Sequence, residues 1–360
     1  MRDFKTFTYP FLLIILFISL ASSCQKNKKE EMHQEVLIAF DTVCSIQLFT
    51  TQTEKEVKPI FDEIIARLRQ LELTFSPTRS ESELFKFNAS PVGKDISISK
   101  ELHYVMQENL KLAEISHGAF NPCMGHLMQL WRPLFDPSTA TEEKMLPSDE
   151  RVKEACTKVD YSNILLSAKT LENTDNRLLK KTDVLLDLGA SAKGYATDCI
   201  KEIILHHGIG RAIIDFGGNI LTLGKKQNGN LWKVGIKMPI IHNEGRVAGF
   251  VEVEDKAVVT SGNYERFFEK DGTLYHHIIS SKTGYPVENE LSAVSIISDS
   301  ATEADLLSTA CFVLGVKEGS TLMAKFPQAS SVFFLKDGKV IEVNNDKTPF
   351  HIIDSSLKKQ

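Results

Sequence analysis

The sequence predicts an α+β fold with a mostly antiparallel sheet core and packed helices. Strand-like runs and segments with helical periodicity are interspersed without the regular alternation that a doubly wound parallel sheet requires. Short strand-like runs also follow one another closely, around Trp232–Ile236, Val247–Val253 and Ala257–Thr260, which favours antiparallel neighbours. With 360 residues, the chain is long enough for one large domain or two closely packed ones.

The first predicted elements are a strand or hairpin and a helix. Residues 36–49 are rich in Val, Ile, Leu, Phe and Thr, with an interruption at Asp41-Thr42. Thr53 and Glu56 then form a capping box at the start of a helix. Apolar residues expected in the core recur at helical spacing: Val57, Ile60, Ile64, Leu68 and Leu71.

The middle of the chain predicts another helix and then irregular structure. The helix runs from Lys100 to about Ile115, and the segment 118–122 breaks it with Gly and Pro. The stretch 132–167 is polar and weakly periodic, and we expect a surface excursion with a short strand near Ile164-Leu165.

In the second half of the chain, the sequence patterns predict strands and helices more clearly. A buried strand is predicted over Val184–Leu188, followed by a glycine-containing turn and a helix from about Ala192 to His207 that stops at Gly208. Another short strand, Arg211–Asp215, ends in Gly217-Gly218-Asn219.

The last pair of predicted elements is a strand at Ala293–Ile297 and a helix. Ser300 with Glu303 marks the start of that helix, and Gly315 its end.

The N-terminus has the pattern of a targeting signal. Arg2 and Lys5 precede an apolar run, residues 11–20, that is too short to span a bilayer. The small residues before Cys24 resemble a lipoprotein cleavage site, which makes this cysteine the expected lipid carrier. An ordinary secretory signal with an incidental cysteine is the alternative.

The resulting division is a signal peptide over residues 1–23, a polar tether over 24–34 and one domain over 35–355. We therefore expect a membrane-anchored lipoprotein of the cell envelope, facing the periplasm and most naturally on the inner membrane.

Bulk charge and cysteine spacing exclude several classes of function. The 42 basic and 47 acidic residues give a net charge of -5, which does not predict nucleic-acid binding. Without Cys24, five cysteines remain, with no C-x-x-C spacing, so neither a disulfide framework nor a cysteine-zinc site is expected. Most should be small buried apolar residues.

The segment 186–198 combines an acid at a strand end with a lysine at a helix start. Asp187 is followed by a glycine turn, and Lys193 opens the helix, which suits a phosphate-bearing ligand. Lys193-Gly194-Tyr195 does not match a P-loop, in which Ser or Thr follows Gly-Lys. A tight strand-to-helix connection without any ligand is an equally good interpretation of the pattern alone.

A second segment, 302–310, could hold a cation. Asp305 and Thr309 lie four residues apart on one helix face, with Ser308 beside them. A carboxylate and hydroxyls are hard oxygen ligands of the kind Mg²⁺ takes together with water and phosphates. Ordinary amphipathic helices also contain such pairs.

A third segment contains adjacent histidines. On a strand, His276 and His277 should point to opposite faces, so a shared zinc is not expected. Either could accept a proton near neutral pH, although a structural histidine is the commoner outcome.

Together, these segments resemble the ApbE family, the FAD:protein FMN transferases, from about Phe40 to Leu314. Asp187–Asp198 and Glu303–Thr309 match the family's strongest motifs. The other matching segments are Phe40–Thr42, Phe75–Arg79 with Ser82–Leu84, Gly118–Pro122 and Asp215–Asn219.

The resemblance implies roles for individual residues. Asp305 and Thr309 would bind Mg²⁺ with the backbone carbonyl of Ala190, and Ser308 would lie in the outer shell. A hydroxyl of an acceptor protein would attack the FMN-side phosphorus of FAD, and AMP would leave. His277 is the expected base, with Asp305 as its rival. The residues expected around FAD are Phe40, Thr78, Ala119, Phe120, Asn121, Asp187, Lys193 and Ile279.

The chain departs from the family pattern in three places. Phe40 replaces a flavin-side Met, Thr78 replaces a Tyr, and Ser280-Ser281 replaces Asp-Pro. These changes concern flavin contacts more than the metal site.

The resemblance implies an acceptor with a short Asp-x-x-Thr/Ser-like motif, such as a subunit of a Na⁺-translocating or electron-transfer complex. Alternatives are FAD hydrolysis to FMN and AMP at the same site, or a lipoprotein that binds FAD without chemistry. A lipid-anchored solute-binding protein would explain the signal but not the Asp187 and Asp305 segments.

Overall fold

The computed structural model describes residues 29–136, 144–167, 175–241 and 245–360. The predicted signal peptide, Cys24 and residues 25–28 of the predicted tether lie outside this part of the chain. Within it, no helix is long and apolar enough to cross a membrane.

The fold is α+β, as predicted. The helices are α1 Glu54–Phe75, α2 Glu83–Asn88, α3 Lys100–Ile115, α4 Gly125–Trp131, α5 Asp149–Cys156, α6 Ala192–His206 and α7 Ala301–Met323. The strands are β1 Glu31–Ala39, β2 Thr42–Thr50, β3 Ile96–Ser97, β4 Ile164–Leu166, β5 Arg177–Lys180, β6 Ala212–Phe216, β7 Asn219–Leu223, β8 Trp232–Lys237, β9 Val247–Val253, β10 Ala257–Gly262, β11 Phe267–Lys270, β12 Thr273–His276, β13 Leu291–Ser298, β14 Ser330–Leu335, β15 Lys339–Val343, β16 His351–Ile352 and β17 Lys358–Lys359.

The main sheet contains nine strands in the order β1-β2-β6-β7-β10-β13-β14-β15-β17. Its pairs are antiparallel except β15 with β17. One face packs with α1, α6 and α7 in the larger core, and the other packs with the small sheet β16-β9-β8 in a second core. A third apolar cluster, around Trp131, joins α4 and α5 to the β11–β12 hairpin.

The predicted interruption at Asp41-Thr42 is a tight turn. Phe40 and Asp41 both have positive φ, at 50° and 56°, and join β1 to β2 as a two-residue hairpin. β1 begins at Glu31, so the last residues of the range predicted as a tether belong to the sheet instead. Similarly, β17 extends the domain beyond residue 355.

Two predicted helix starts are confirmed by their caps. Thr53 and Glu56 form the capping box of α1, and all five predicted core residues of that helix are buried. Ser300 accepts the N–H of Glu303 at the start of α7. The predicted helix at Lys100–Ile115 is also confirmed.

Helix α7 breaks at the predicted end and then resumes. Gly315 has φ 78° and ψ -177°, a conformation open essentially to glycine alone. The carboxylate of Glu290 accepts the N–H of Val316 at 2.7 Å and caps the second half of the helix. The helix therefore continues to Met323 because a distant side chain satisfies the backbone at the break.

The predicted strand Val184–Leu188 is wrong. Val184, Leu186 and Leu188 are buried in alternation, but the segment joins no sheet among the described strands. Its backbone instead pairs with the side chain of Asn88 and with loop atoms at Pro122 and Gly125. The alternation of buried residues correctly indicated an extended, half-buried segment. A strand has the same alternation, so the pattern alone could not tell the two apart.

The surface excursion at 132–167 contains the predicted short strand, β4, and a helix that was not predicted, α5. Residues 137–143 fall outside the described chain. The cysteine prediction is confirmed: Cys44, Cys123, Cys199 and Cys311 are buried, Cys156 is half-buried, and all five are free thiols.

Candidate active site

The first turn of α6 meets the second turn of α7 at Gly194 and Asp305. The backbone N–H of Gly194 donates to Oδ2 of the buried Asp305 at 2.9 Å. A methyl group at Gly194 would lie 2.4 Å from the carbonyl oxygen of Ala301, so only glycine permits this approach. The two strongest sequence motifs are therefore in direct contact.

A chain of hydroxyl groups continues from Asp305 to the sheet. Ser308 is fully buried and donates to the carbonyl oxygen of Asp305 at 3.0 Å. The hydroxyl of Ser261, at the end of β10, lies 2.8 Å from that of Ser308 and 3.3 Å from that of Thr309. This joins the three hydroxyls of Ser261, Ser308 and Thr309, within one helical turn of Asp305.

Ser261 belongs to this cluster but was not among the predicted site residues. It lies 47 residues from Ser308 in the sequence, and only the packing of α7 on β10 brings them together. The sequence offered one indication that Ser261 could belong to a site, namely its position in a polar, turn-rich segment.

Asp198, the last residue of the Asp187–Asp198 motif, fixes the start of α7. Its carboxylate accepts four hydrogen bonds of 2.6–2.9 Å, from the N–H groups of Ala301 and Thr302 and from the hydroxyls of Ser300 and Thr302. A carboxylate at a helix N-terminus is stabilised by those unpaired N–H groups and by the helix dipole. Asp198 therefore positions the helix that carries Asp305.

Asp187 lies in the loop before α6 and is engaged on three sides. Its carboxylate pairs with Arg132, which was not a predicted site residue, and accepts the N–H of Gly189 at 3.0 Å. Its own N–H donates to the carbonyl oxygen of Pro122 at 2.8 Å. This holds the loop before α6, including Ala190, against the 118–122 loop.

Several of the other residues expected around FAD make contacts within the protein itself. Asn121 donates to the carbonyl oxygen of Val159 and accepts the N–H of Cys123. Phe120 and Ile279 are buried in apolar clusters, and Ala119 is 8% exposed. Polar atoms of Asn121 therefore stabilise the loop itself.

Two further predicted FAD contacts, Phe40 and Thr78, lie near α1. The N–H of Phe40 donates to Glu72 at 2.9 Å, and its ring packs edge-on against Phe216. Thr78 is exposed in the loop after α1, with its hydroxyl 3.3 Å from that of Ser76.

Lys193 acts electrostatically on both Glu265 and His277. Glu265 is exposed, yet desolvation by the surrounding protein raises the pKa of its carboxyl, and the charges of Lys193, Lys237 and Arg266 oppose that rise. Arg266 also acts on His277. Charged groups from the start of α6 and from the segment after β10 therefore influence one another.

The two histidines have different surroundings. His276 is buried, with Nε2 3.0 Å from the carbonyl oxygen of Val287, and desolvation lowers its pKa to about 4. His277 is half-buried, with Nδ1 3.3 Å from the carbonyl oxygen of Arg266. Desolvation first, and then the charge of Arg266, hold the pKa of His277 well below its usual range. His277 is thus a neutral imidazole that retains contact with solvent, and His276 is a structural residue.

The cluster around Asp305 has the chemistry of a magnesium site. In the described part of the chain, no three His, Cys, Asp or Glu side chains converge to hold a metal ion. One carboxylate with serine and threonine hydroxyls does not suit zinc, which prefers nitrogen and sulfur. It fits Mg²⁺, which takes few protein oxygens and completes its shell with water and phosphates.

Comparison with known proteins places this geometry in a family. The model of the ApbE family matches residues 40–334. A relative from Treponema pallidum (strain Nichols), named FAD:protein FMN transferase, is 33% identical over 339 residues, covering 91% of each chain. This chain belongs to the ApbE family.

Other ApbE relatives agree with this assignment. A FAD:protein FMN transferase from Klebsiella pneumoniae (strain 342) is 29% identical over 291 residues, 81% of this chain and 87% of the relative. The crystal structure of the ApbE protein from Thermotoga maritima MSB8 superposes with a TM-score of 0.75 at 30% identity, over 86% of this chain and 96% of that one. The apo flavinyl transferase ApbE of Pseudomonas stutzeri gives a TM-score of 0.72 at 26% identity, over 89% and 95%. The ApbE fold expected from the sequence is therefore confirmed.

Proposed function

We propose that this ApbE-family protein is a Mg²⁺-dependent FAD:protein FMN transferase, which transfers FMN from FAD to a Thr or Ser hydroxyl of an acceptor protein and releases AMP. The observation that carries the proposal is the convergence of Asp305, Ser308, Thr309 and Ser261 beside the start of α6. The names of the Treponema and Klebsiella relatives support the same reaction.

Asp305 and Thr309 are the proposed Mg²⁺ ligands, together with the backbone carbonyl of Ala190. Ser308 donates to the backbone carbonyl of Asp305 and contacts the hydroxyl of Ser261, which also contacts Thr309, so its proposed place is the outer shell. When bound, Mg²⁺ would neutralise charge on the diphosphate of FAD as a phosphorus–oxygen bond breaks.

The proposed FAD contacts come from several segments. Lys193 lies in the first turn of α6 and supplies a positive charge, which favours a phosphate. Phe40 is bonded to Glu72 of α1, and Thr78 follows that helix. Asp187 is bonded to Pro122, at the end of the Ala119–Phe120–Asn121 loop, and Ile279 is a further proposed contact. Because the side chain of Asn121 is already bonded within its loop, backbone groups and apolar surface are the contacts this loop offers.

His277 is the proposed base for the acceptor hydroxyl. Its neutral state provides a lone pair, and the Arg266 carbonyl beside Nδ1 favours the tautomer that leaves Nε2 unprotonated. The hydroxyl proton moves to Nε2 as its oxygen bonds to the FMN-side phosphorus. The bond from that phosphorus to the AMP oxygen breaks, and AMP leaves with the electron pair. The alternative base, Asp305, already accepts the N–H of Gly194.

A flavin-transfer assay tests the proposal. The protein is incubated with FAD, Mg²⁺ and an acceptor domain that contains an Asp-x-x-Thr/Ser motif, and the mixture is denatured. We expect flavin fluorescence on the acceptor only when Mg²⁺ is present. Steady release of AMP without acceptor, with no transfer to several acceptors, would instead identify a FAD hydrolase. FAD binding with neither product would identify a non-catalytic flavin-binding protein.

We also propose that a lipid on Cys24 anchors the protein to the periplasmic face of the inner membrane. The sequence before Cys24 supports this, and β1 starts at Glu31, seven residue steps after Cys24. At most about 3.5 Å per residue, that distance keeps the domain within about 25 Å of the lipid. The variant Cys24→Ser should leave the detergent phase on phase partitioning, and unchanged partitioning would exclude the anchor.

A further inference from the structure

Three hydroxyl groups connect the two proposed metal ligands of α7. The hydroxyl of Thr309 lies 3.3 Å from that of Ser261, which lies 2.8 Å from that of Ser308. The hydroxyl of Ser308 lies 3.0 Å from the backbone carbonyl oxygen of Asp305. We call this set, the hydroxyls of Thr309, Ser261 and Ser308 with the carbonyl of Asp305, the hydroxyl network.

The number of protons in the hydroxyl network fixes the direction of every hydrogen bond in it. A serine or threonine hydroxyl has one proton to donate, and a carbonyl oxygen has none. The three contacts therefore need all three hydroxyl protons, one for each contact. Ser308 donates to Asp305, because a carbonyl can only accept, and Ser261 donates to Ser308. Thr309 is then the donor to Ser261.

This direction determines what the oxygen of Thr309 offers to another partner. Its proton is held towards Ser261, so only lone pairs remain. A cation binds lone pairs, whereas a proton turned towards it would be repelled. Thr309 stands at the end of the network and is half-buried, while Ser308 and Asp305 are buried. The network therefore prepares Thr309 as a neutral oxygen ligand before any metal binds.

The position of Ser261 on β10 makes this contact possible. Val259, two residues earlier, lies in the larger core with α7, and Ser261 continues the same face of the strand. A threonine inside a helix commonly donates to the carbonyl oxygen four residues back, which for Thr309 is that of Asp305. Here that carbonyl accepts from Ser308, and the hydroxyl of Thr309 meets the strand. The sheet, and not the helix alone, sets the direction of the Thr309 proton.

We propose that Ser261 is a positioning residue of the metal site, which holds the hydroxyl proton of Thr309 away from Mg²⁺ and is itself oriented by Ser308. This inference rests on the proposed function, because it assigns a task to a residue beside the proposed magnesium ligands. The Thr309 hydroxyl becomes a stronger donor when its oxygen is bound to a cation, which strengthens its bond to Ser261. Hydrogen bonds in series polarise one another, so this gain extends along the network.

A second pair of hydroxyls, next to the network, provides a matched comparison. Thr260 and Ser295 are in register on β10 and β13, and their hydroxyls lie 2.7 Å apart. Thr260 shares the strand face of Val258, which lies in the second core on the side away from α7. Removal of the Ser295 hydroxyl therefore breaks a bond of the same kind without touching the hydroxyl network.

The experiment measures metal affinity rather than turnover. Mn²⁺, which takes the same oxygen ligands as Mg²⁺, is titrated into the protein with FAD and without acceptor, and free Mn²⁺ is measured by electron paramagnetic resonance. The variants are Ser261→Ala, Ser308→Ala, the two combined, and Ser295→Ala as the control. We expect about tenfold weaker Mn²⁺ binding by Ser261→Ala, the scale on which loss of an outer-shell partner acts, and unchanged binding by the control.

The combined variant tests how the two serines act. Ser308 acts on Thr309 through Ser261, so the combined variant should bind Mn²⁺ as weakly as Ser261→Ala and no more weakly. Losses that multiply would mean that Ser261 and Ser308 act independently, for example as separate metal ligands, and would overturn the proposal. Equal affinity of wild type and Ser261→Ala would also overturn it.

Folding is followed in parallel by denaturant titration of every variant. Ser295→Ala should lose stability on the scale of one hydrogen bond and keep its Mn²⁺ affinity. An equal loss of Mn²⁺ affinity in Ser295→Ala and Ser261→Ala would make the effect one of general packing and would overturn the positioning role.

Neutron diffraction gives a direct second test, because it locates hydroxyl deuterium atoms. We expect the deuterium of Thr309 on the side of Ser261, and that of Ser261 on the side of Ser308. The opposite order would overturn the proposal.

The outcomes separate this inference from the proposed function. Flavin transfer by a wild type whose Mn²⁺ affinity does not depend on Ser261 would overturn the positioning role and leave the function intact. Absence of flavin transfer by wild type, with the expected dependence of Mn²⁺ affinity on Ser261, would refute the function and leave the positioning role. Absence of Mn²⁺ binding by wild type would overturn both the metal site and the role of Ser261.

Discussion

The backbone N–H of Gly194 donates to Oδ2 of Asp305 at 2.9 Å, across the contact between α6 and α7. This bond joins the helix that carries Lys193 to the helix that carries the proposed metal ligands. The distance between the proposed phosphate-binding and metal-binding groups is therefore set by one glycine and one carboxylate.

We expect Gly194→Ala to weaken both folding and catalysis. The added methyl would lie 2.4 Å from the Ala301 carbonyl oxygen and 2.8 Å from Cβ of Asp305, so the helices must separate. Overpacking of this kind costs about 1–3 kcal/mol of unfolding free energy, measurable by denaturant titration. Gly210→Ala, whose methyl meets nothing within 4 Å, is the control and should be neutral or slightly stabilising. A Gly194→Ala protein with wild-type stability and activity would contradict the close crossing.

Asp305→Asn should reduce flavin transfer by about two orders of magnitude, the scale on which loss of one preorganised charge-stabilising group affects catalysis. The fold should persist, because the amide keeps the shape and can still accept from Gly194. The measurement is the rate of transfer against Mg²⁺ concentration. Asp299→Asn changes an exposed carboxylate just before α7 and should leave the rate unchanged. Equal Mg²⁺ dependence in Asp305→Asn and wild type would place the metal elsewhere.

His277→Gln should lower the transfer rate by about 10²–10⁴-fold, the usual contribution of a positioned base. Because the pKa of His277 lies well below its ordinary value, the group is already unprotonated in weak acid. Protonation of His277 should therefore not lower the transfer rate between pH 8 and pH 5. A rate that falls with an apparent pKa near 6.5, and loses that step in His277→Gln, would contradict this environment.

The buried His276 should make the fold sensitive to acid. Its pKa is lowered to about 4 in the folded protein. Between pH 6.5 and pH 4, His276 is therefore protonated in the unfolded chain but neutral in the folded one. The free energy of unfolding should fall as the pH drops from 6.5 to 4, by up to about 3 kcal/mol from this group. His276→Gln retains a donor towards Val287 and should flatten that slope in denaturant titrations across this range. An unchanged slope would exclude His276 as its source.

Asp198→Ala should destabilise the protein by about 2–3 kcal/mol, because four hydrogen bonds at the start of α7 are lost together. Flavin transfer should fall as well, since Asp305 lies in the next turn. Asp62→Ala removes an exposed carboxylate paired with Lys58 and should cost less than about 0.5 kcal/mol. Thermal and chemical denaturation compare the two. Equal losses in both variants would show that Asp198 is not the cap that positions α7.

Local chemistry explains which features were predictable from sequence. Helix starts at Thr53 and Ser300 were predicted correctly because a cap and its partner lie within three residues. Asp305, Ser308 and Thr309 were predicted to share a helix face because they lie three and four residues apart. Information confined to a single turn of chain is present in the sequence itself.

Contacts between distant segments were not predictable in this way. Ser261 meets Ser308, and Arg132 meets Asp187, across 47 and 55 residues, and neither pair has a spacing rule. Val184–Leu188 has the alternation of a strand, but its backbone partners are the side-chain amide of Asn88, the carbonyl oxygen of Pro122 and the N–H of Gly125. Periodicity reports which side chains are buried, and not what the backbone bonds to.

The break at Gly315 divides α7 into sections with different freedom to vary. Residues before it carry the proposed metal ligands, and the part after it begins afresh on the cap from Glu290. The direction of the later part is therefore set by Glu290 and by the packing of Gly319 on Phe333, not by the hydrogen-bond ladder that runs from Ser300. One continuous stretch of sequence thus supplies two separately capped helical segments, and only the first carries the proposed metal ligands.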